Sequence, residues 1–455
     1  MARSRTGRFI ALLAALMLLA AACSNREEKK TSTRSGGGGS GGSGDSGQQS
    51  EIDTSNCPTD PTEEVKGDTI KLASSFPQSG LTAAFSEIAA GWKSYFKYTN
   101  DQGGVKIGGK KYKIETVDKD DEYNAQKTAQ NIEEEVGTDG SKVFAVFGVV
   151  GTANNISIRQ FLGENCVPNL FAISGSPAWG NPKFPWTIGA TNDVYPLEGK
   201  TFAEYLKKNK PSATVAMLIQ NDDFGSAYEN GFRQAIKGTK IKLVKVEKYA
   251  TGANEVGAQL TSLAATNADA FFDGATLLAC PDALKKAQAA NWKPIIWVSG
   301  TCISKTLMGI AGDAAEKAIS ITNLKDPFNP QFASDADLKL YRTTVKKYEP
   351  KADIENGIVA YGWTQGALMV KAMETAKKAS RLEIMEAVRH QKDAHAGLLL
   401  DDVKINTDGE KDPYMGESGQ VIQYDSSKKY FNNLGPMVDY EGKTKDFTPK
   451  QLIEG

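Results

Sequence analysis

Apolar and polar positions along the chain follow two alternating periodicities. Short apolar, β-rich runs end in small or polar residues, and a longer segment with the apolar spacing of an amphipathic helix follows each run. The first series of runs is "TIKLASSF", "YKIETVDK", "KVFAVFG" and "NLFAIS", with helical segments at residues 82–100, 124–136 and 153–163. Strands that alternate with helices in this way predict a parallel sheet covered by helices.

The same alternation begins again in the middle of the chain. The second series is "TVAMLIQN", "IKLVKVEKY", "ADAFFDGA" and "PIIWVSG", with helical segments at residues 225–237, 255–266 and 281–290. The sequence therefore predicts an α/β protein with two doubly wound parallel-sheet lobes.

Three joints connect the predicted lobes. "FPWTIGATND" separates the two series, "AISITNL" precedes further long helical segments, and a third joint is expected near Lys392. A chain that crosses at all three joints forms discontinuous lobes around a three-strand hinge. Ligands of open α/β sheets bind outside the carboxyl ends of the strands, which here is the cleft between the lobes. The expected lobes are residues 68–190 with 322–391, and residues 191–321 with 392–455.

The N-terminus has the pattern of an export signal. Arginines precede an apolar run of 14 residues, 9–22, which is shorter than the roughly 20 residues of a membrane span but typical of a signal peptide. Small residues stand directly before Cys23, which resembles the lipobox of bacterial lipoprotein precursors, although Ala20 stands where a larger aliphatic is usual. The resemblance implies that residues 1–22 are removed and Cys23 is lipidated. An ordinary secretory signal is the alternative.

Composition sets the character of the remaining chain. Residues 23–67 include "SGGGGSGGSGDSGQQS" and have too few apolar side chains to offset the entropy of ordering, so we expect a disordered tether. The rest of the 455-residue chain is long enough for two substantial cores. With 54 Lys and Arg against 55 Asp and Glu, the net charge of −1 argues against nucleic acid or an anionic membrane surface as a partner.

Several longer motifs occur in a fixed order. "SSFPQSGLTAAFSEIAAGWKSYFKYTNDQGGV" is followed by "VFAVFGVVGTANN", "NLFAISGSPAW", "LIQNDDFGSAYENGF", "FFDGATLLACPDALKKAQAANWKP" and "AYGWTQGALMVKAME". From Asp68 to the C-terminus, this ordered set resembles the leucine/isoleucine/valine-binding proteins, which are type I periplasmic substrate-binding proteins of ABC importers. The resemblance implies a two-lobed fold that closes on a small ligand.

The resemblance also implies ligand contacts at the ends of the strands. Phe85 matches an aromatic position that covers the ligand, and Phe224 matches an aromatic contributed by the second lobe. Thr152 matches a serine that binds the ligand carboxylate, where N–H groups at the start of the next helix add anion affinity. Singly, these residues fit a helix cap and two core positions, but their convergence on one cleft favours a site. A loop for the ligand's polar head is matched by Ser174, Gly175 and Ser176.

The chain departs from the family at the pocket for an ammonium group. Amino-acid-binding members carry an acidic residue after the strand written here as "PIIWVSGTC", whereas this chain has Ser299, Gly300, Thr301 and Cys302. We still expect Thr301 to contact the ligand. An ammonium group buried there without a negative partner would be costly. Either Asp273, or Asp222 or Asp223, supplies that charge, or the ligand is a carboxylate, amide or urea without an ammonium. We expect the ligand without an ammonium.

Motifs for catalysis and for cofactor or metal binding are missing from the sequence. His390 and His395 are five residues apart, off the i, i+4 spacing of a helical metal pair. No phosphate loop, Rossmann fingerprint or nucleophile elbow occurs in its structural context. "DKDDE" lacks the alternating ligands and the glycine of a calcium loop and fits a helix-capping turn. We therefore expect no enzyme activity, no cofactor and no metal.

Four cysteines follow Cys23, an even number in an oxidising compartment. Cys280 and Cys302 each follow the carboxyl end of a predicted strand in the second lobe. Cys57 and Cys166 both lie at the amino edge of the first sheet. Of the three possible pairings, strand topology predicts Cys280 with Cys302 and Cys57 with Cys166.

The sequence leads to one functional expectation and one competitor. We expect a monomeric, lipid-anchored solute receptor at the outer face of the cytoplasmic membrane. Its partners are a small-molecule ligand and the permease and ATPase subunits of an ABC importer. The competitor is a sensory ligand-binding protein on the same fold that signals to a membrane partner, and the sequence offers no signalling domain in its support.

Overall fold

Two central sheets organise residues 50–454, the part of the chain that the computed structural model describes. The first sheet contains β1 (Thr69–Phe76), β2 (Val105–Ile107), β3 (Lys110–Asp120), β4 (Ala145–Phe147), β5 (Asn169–Ala172) and β6 (Thr187–Gly189). Its order is β2-β3-β1-β4-β5-β6. All neighbours pair in parallel except β2 and β3, which form a hairpin at one edge.

The second sheet contains seven strands in the described part of the chain. They are β7 (Thr214–Gln220), β8 (Lys242–Tyr249), β9 (Ala270–Gly274), β10 (Ile295–Val298), β11 (Ile319–Thr322), β12 (Ser418–Asp425) and β13 (Tyr430–Asp439). The order β13-β12-β11-β10-β9-β7-β8 is parallel from β11 to β8, while β12 is antiparallel to both of its neighbours. The prediction of two α/β lobes built on parallel sheets is confirmed, with an antiparallel edge added to each sheet.

Helices cover both sheets. In chain order they are α1 (Ser86–Asp101), α2 (Ala125–Val136), α3 (Thr152–Glu164), α4 (Tyr195–Asn209), α5 (Asp223–Ala235), α6 (Gly257–Ala264), α7 (Ala279–Ala289), α8 (Lys305–Ala311), α9 (Ala336–Tyr348), α10 (Gly357–Thr375), α11 (Arg381–Arg389), α12 (Thr444–Phe447) and α13 (Lys450–Glu454). Side-chain caps fix several helix starts. Asn124 accepts hydrogen bonds from two N–H groups of α2, and Asp222 accepts one from Gly225 in α5.

The two long helices α1 and α10 pack closely together in the first lobe. Trp92 of α1 lies under the sheet with its ring centroid 5.5 Å from that of Phe147, edge to face. On the opposite side, α1 approaches α10 at Gly362, where a Cβ atom would overlap the carbonyl group of Ile88. A glycine is therefore required there by backbone contact between the helices.

The first lobe is completed by chain that follows the second sheet. Side chains of α10 and α11, such as Met373 and Met385, belong to the same core as strands β1 and β4, and so do Ala394 and Met415. The chain enters the second sheet again only at Ser418. We propose that the third crossing lies between Met415 and Ser418, later than the position expected near Lys392, because the intervening segment packs on the first lobe.

The three crossings lie side by side and are joined by hydrogen bonds. Asn323 in the second crossing donates to the carbonyl oxygen of Thr191 in the first (2.6 Å). The amide of Gln365 on α10 both donates to the Thr191 hydroxyl (2.7 Å) and accepts from its N–H (3.2 Å). The N–H of Val194 donates to the Gly416 carbonyl of the third crossing (3.1 Å). α10 therefore holds the hinge strands in register at the base of the cleft.

Residues 50–67 are ordered along the first lobe, so the expectation of a disordered tether is wrong for this segment. Ile52 is buried in the first-lobe core, and the N–H of Val65 donates to the Ala379 carbonyl. The N–H of Leu382 donates to the Pro61 carbonyl. These contacts, with a disulfide, supply the stabilisation that the composition of the segment does not indicate. The predicted signal peptide and the lipidated Cys23 lie outside the described residues.

Both disulfides join the cysteines that strand topology pairs. Cys57 is bonded to Cys166, with Cα atoms 5.5 Å apart, and Cys280 is bonded to Cys302, with Cα atoms 6.0 Å apart. Both Cα distances lie in the usual range for disulfides. The second bond ties the start of α7 to the turn after β10, so it braces two loops at the carboxyl end of the second sheet.

Removing the second disulfide should lower stability without changing the fold. In the chain-entropy account, a bond that closes 22 residues contributes about 3 kcal/mol to the free energy of unfolding. The double variant Cys280→Ser, Cys302→Ser should therefore unfold at a lower urea concentration, with an m-value at least as large as that of the wild type because its unfolded chain is less restricted. An unchanged midpoint under non-reducing conditions would contradict this, and the wild type with both disulfides intact is the reference.

Candidate functional site

A cleft between the lobes has a cavity volume of about 170 Å³. Its lining comes from loops at the carboxyl ends of both sheets and from the hinge strands, as the fold rule for ligand sites requires. Among the residues predicted from the sequence, the lining includes Phe85, Phe224 and Thr301. The volume accommodates a small organic molecule, since one water needs only about 10–15 Å³ on the same measure.

Two aromatic side chains form the first-lobe wall. Phe85 ends a short 3-10 turn before α1, and its ring centroid lies 5.5 Å from that of Tyr123. Tyr123 directly follows the carboxyl end of β3, with a backbone φ of 62°. This left-handed geometry is uncommon for a non-glycine residue and is typical of functional turns. The sequence analysis missed Tyr123, although its position just after a strand next to β1 was a usable signal.

Asp121 holds the turn that carries Tyr123. Its carboxylate accepts hydrogen bonds from the N–H of Tyr123 (2.9 Å) and from the hydroxyls of Ser75 (3.0 Å) and Thr128 (2.9 Å). Burial raises the pKa of Asp121, and these donors oppose the rise. The acidic stretch "DKDDE" thus has a structural role in positioning a cleft residue, and Asn124 rather than an aspartate caps the next helix.

Thr152 and Ser174 lie together, and a third hydroxyl meets them. Their side-chain oxygens are 2.7 Å apart, and the Tyr195 hydroxyl donates to Ser174 Oγ (3.3 Å). The backbone N–H of Tyr195 also donates to the Gly175 carbonyl (2.9 Å). Burial raises the pKa of Tyr195 to about 12, so this hydroxyl keeps its proton. Tyr195 lines the cleft, whereas Thr152, Ser174 and Ser176 lie behind it.

Two other aromatic side chains hold the Tyr195 ring in place. The centroid of the Tyr195 ring lies 5.1 Å from that of Phe224 and 4.6 Å from that of Tyr228. A Cβ atom added at Gly175 would lie 2.8 Å from a ring carbon of Tyr195, so the glycine leaves room for the ring. In the structure, the polar pocket that the family resemblance assigns to a ligand carboxylate is filled by a side chain of the protein.

Asp273 does not line the cleft. It is fully buried at the end of β9, where one carboxylate oxygen accepts from the Ala275 N–H (3.3 Å) and the other has no hydrogen-bond partner in the described part of the chain. Burial raises its pKa well above the ordinary value. The cleft surface nearby is formed by Thr276, whose N–H donates to Tyr249. Asp222 caps α5, and neither it nor Asp223 is among the lining residues.

Glu198 supplies a carboxylate at the place where the sequence lacks one. It projects from α4 to the turn after β10, where it accepts from the Gly300 N–H (3.0 Å) and from the Tyr228 hydroxyl (2.7 Å). Burial raises the pKa of Glu198 to about 7, although these donors lower it. Glu198 lines the cleft. No local motif marks it, because it reaches the end of β10 from about a hundred residues earlier in the chain.

Asp193 is a second carboxylate in the cleft. It lies in the first crossing, is 9% exposed, and one of its oxygens has no hydrogen-bond partner among residues 50–454. Burial, and then the nearby charge of Glu198, raise its pKa well above the ordinary value. The lysine that lines the cleft, Lys325, is already bonded to Asp335 and Asp401 (2.7 Å each). The cleft is therefore better suited to a hydrogen-bond donor or a cation than to an anion.

Comparisons with known proteins agree with this architecture. The family described as "Periplasmic binding protein" matches residues 69–415. The chain belongs to the periplasmic binding protein family. The earlier resemblance is thereby confirmed, and so is the expectation of a binding protein rather than an enzyme.

Solved structures share the fold at low sequence identity. A branched-chain amino acid ABC transporter protein from Thermus thermophilus, with bound valine, is similar at 18% identity and a TM-score of 0.72, covering 84% of this chain and 99% of that one. A fatty acid ABC transporter substrate-binding protein from Thermomonospora curvata is similar at 19% identity and a TM-score of 0.71, covering 85% of this chain and 96% of that one. A solute-binding protein from R. palustris in complex with benzoate is similar at 18% identity and a TM-score of 0.66, covering 82% of this chain and 98% of that one. No helix within residues 50–454 is long and apolar enough to cross a membrane.

Proposed function

We propose that this protein is the solute receptor of an ABC importer and that its ligand is a small molecule bearing an ammonium group. Family membership and the two-lobed fold support the receptor role. The fold does not choose the ligand, since similar structures are described with valine, with benzoate and as a fatty acid transporter component. The choice of ligand rests on the cleft itself.

The observation that carries the ligand proposal is the unpaired carboxylate of Asp193 beside that of Glu198. Burial raises the pKa of Asp193 and so disfavours its charged form, whereas an ammonium group bound beside it would favour that form. The aromatic walls of Phe85, Tyr123 and Phe224 add faces that attract a cation. This proposal departs from the expectation of a ligand without an ammonium, which considered acidic residues only near strand ends.

A thermal-shift screen tests the ligand proposal directly. Small amines, amino acids, amides, ureas and aliphatic or aromatic carboxylates are added to the purified protein at millimolar concentration. A ligand at 100 times its dissociation constant adds about 2.7 kcal/mol to the free energy of unfolding. We expect stabilisation by amines and by amino acid derivatives without a free carboxylate. Stabilisation confined to carboxylates would contradict the proposal.

The affinity for an ammonium ligand should rise with pH. Since the pKa of Glu198 is about 7, its ionised fraction increases about tenfold between pH 6 and pH 8. A ligand that binds the ionised form should gain up to about tenfold in affinity over this range, as measured by calorimetric titration at several pH values. The variant Glu198→Gln should show a flatter profile. An ammonium ligand whose affinity is constant over this pH range, or rises equally in Glu198→Gln, would contradict the role of Glu198.

The lipid anchor and the cellular role are proposed on the sequence and the family together. Cys23→Ser should release the protein from the membrane or stall its precursor, and a mutant that stays membrane-bound and correctly processed would contradict the anchor. Uptake of a labelled ligand by cells with and without the gene separates import from sensing. Loss of uptake supports the importer, whereas normal uptake with a lost transcriptional response supports the sensory protein.

A further inference from the structure

Three carboxylates lie together away from the cleft. Asp412, Glu417 and Glu441 come from three separate segments: the end of the first-lobe chain before the third crossing, the residue before β12, and the turn after β13. One carboxylate oxygen of each residue lies within 4.8 Å of those of the other two. Lys411, the neighbour of Asp412 in sequence, pairs with Asp408 instead (3.2 Å). Within residues 50–454, none of the three forms an ion pair.

A buried hydroxyl is directed at the same cluster. Thr444 is 0% exposed, and its N–H donates to one Glu417 oxygen (3.1 Å). Its hydroxyl faces the Glu417 carboxyl group but is not aligned for a hydrogen bond with it or with another described group. Glu441 Oε1 is also shielded from solvent without a hydrogen-bond partner in the described part of the chain. Buried polar atoms normally have partners, so these two atoms point to a missing one.

We propose that Asp412, Glu417, Glu441 and the Thr444 hydroxyl bind one Ca²⁺ ion. Oxygen atoms are the ligands that hard divalent cations prefer, and a ligand distance of about 2.3–2.6 Å places opposite ligands about 4.6–5.2 Å apart. One oxygen of each of the three carboxylates lies within 4.8 Å of the other two, a spacing that a single divalent cation can bridge. Mg²⁺ needs ligands at about 2.0–2.1 Å in a strict octahedron, which three loop segments match less well.

The ion would fasten the third crossing to the C-terminal turn. The Gly442 N–H donates to the second Glu417 oxygen (2.9 Å), so Glu417 is already oriented by backbone on both sides. Gly416, next to Glu417, accepts from Val194 of the first crossing. A bound ion would therefore stiffen one hinge strand at its entry into the second lobe. No sequence motif indicates the site, because its ligands are not grouped in one loop.

Terbium luminescence tests this site. The full chain is treated with a chelator, and Tb³⁺ is added with excitation of the tyrosines, since Tyr440 lies next to Glu441. We expect saturable emission at one ion per chain, displaced by Ca²⁺ at lower concentration than by Mg²⁺. Calcium should also raise the melting temperature of the wild type.

Two variants decide the assignment. Glu441→Gln keeps the shape of a half-buried side chain, and it should lower the terbium affinity at least tenfold and remove the thermal shift by calcium. Asp425→Asn, at a half-buried acid paired with Lys428, is the matched control and should behave as the wild type. Wild-type protein without terbium emission and without a calcium shift would overturn the proposal, as would equal affinity in Glu441→Gln or preference for Mg²⁺.

Discussion

Replacing Asp193 by asparagine should weaken the binding of an ammonium ligand by at least about thirtyfold. The loss of one partner from a desolvated, hydrogen-bonded charge pair typically costs about 2–5 kcal/mol of binding free energy, and about 1.4 kcal/mol corresponds to tenfold in affinity. Asparagine keeps the size of the side chain but cannot become negative. Calorimetric titration of wild type and variant with the best amine from the screen measures the effect.

The same substitution, Asp193→Asn, should leave the stability of the ligand-free protein unchanged or raise it, although it weakens ligand binding. A carboxyl group whose pKa is raised in the folded state contributes less to stability as pH rises through that pKa, because it must stay protonated or carry an uncompensated charge. Asparagine removes this penalty at neutral pH. We therefore expect Asp193→Asn to melt at the same temperature as the wild type without ligand, or higher, which separates lost binding from misfolding.

Asp273→Asn is the matched control for this experiment. Asp273 is also buried, burial raises its pKa as well, and it lies at the end of β9 without lining the cleft. The sequence analysis named Asp273 as the first choice for an ammonium partner. The geometry favours Asp193, so Asp273→Asn should bind the amine as the wild type does. The reverse pattern, with loss only in Asp273→Asn, would contradict the assignment of the charge to Asp193.

Replacing Tyr195 by alanine should admit carboxylate ligands. The Tyr195 hydroxyl now bonds Ser174, which in turn bonds Thr152. Alanine removes the Tyr195 hydroxyl from Ser174, which leaves the linked hydroxyls of Ser174 and Thr152 able to bond an anion at the N-terminus of α3, a favourable position for negative charge. We expect affinity for small carboxylates to rise at least about tenfold, since each new charge-assisted hydrogen bond contributes roughly 1.5–3 kcal/mol. Titration with benzoate and with valine measures the gain.

The same substitution should be strongly destabilising. Tyr195 packs against Phe224 and Tyr228, and truncation of a buried aromatic side chain costs about 3–5 kcal/mol of unfolding free energy. Tyr195→Phe is the control, since it keeps the ring and removes only the hydroxyl. It should remain closed to carboxylates. If Tyr195→Phe gains carboxylate affinity as large as that of Tyr195→Ala, the filled pocket is not what excludes them.

Much of the fold could be predicted because each element carries its own signal. The runs that became β7 and β9 are largely apolar segments between polar turns, and α2 begins at the Asn124 cap. The antiparallel pair β12 and β13 was missed. β13 reads "YFNNLGPMVD", in which glycine, proline and asparagine hide the strand pattern. Its position depends on pairing with distant strands, a property that local periodicity does not encode.

Some residues of the candidate site could likewise be predicted from the sequence, and others could not. Phe85, Phe224 and Thr301, which the structure places in the cleft lining, were assigned to it by the family resemblance. Glu198 and Tyr195 could not be predicted, since both come from α4 and meet the strand ends only after the lobes have packed. A residue that acts through tertiary contact leaves no spacing in the sequence by which it can be recognised.

The bond between Cys57 and Cys166 determines how mechanical load passes through the molecule. Tension applied to the chain at Ser50 runs through a few residues and then crosses the disulfide to the segment before β5. The chain between the two cysteines, which are 109 positions apart, lies outside the loaded path. Unravelling from this end therefore stops at Cys57, and a protease cut inside the loop would leave the N-terminal segment covalently joined to the first lobe.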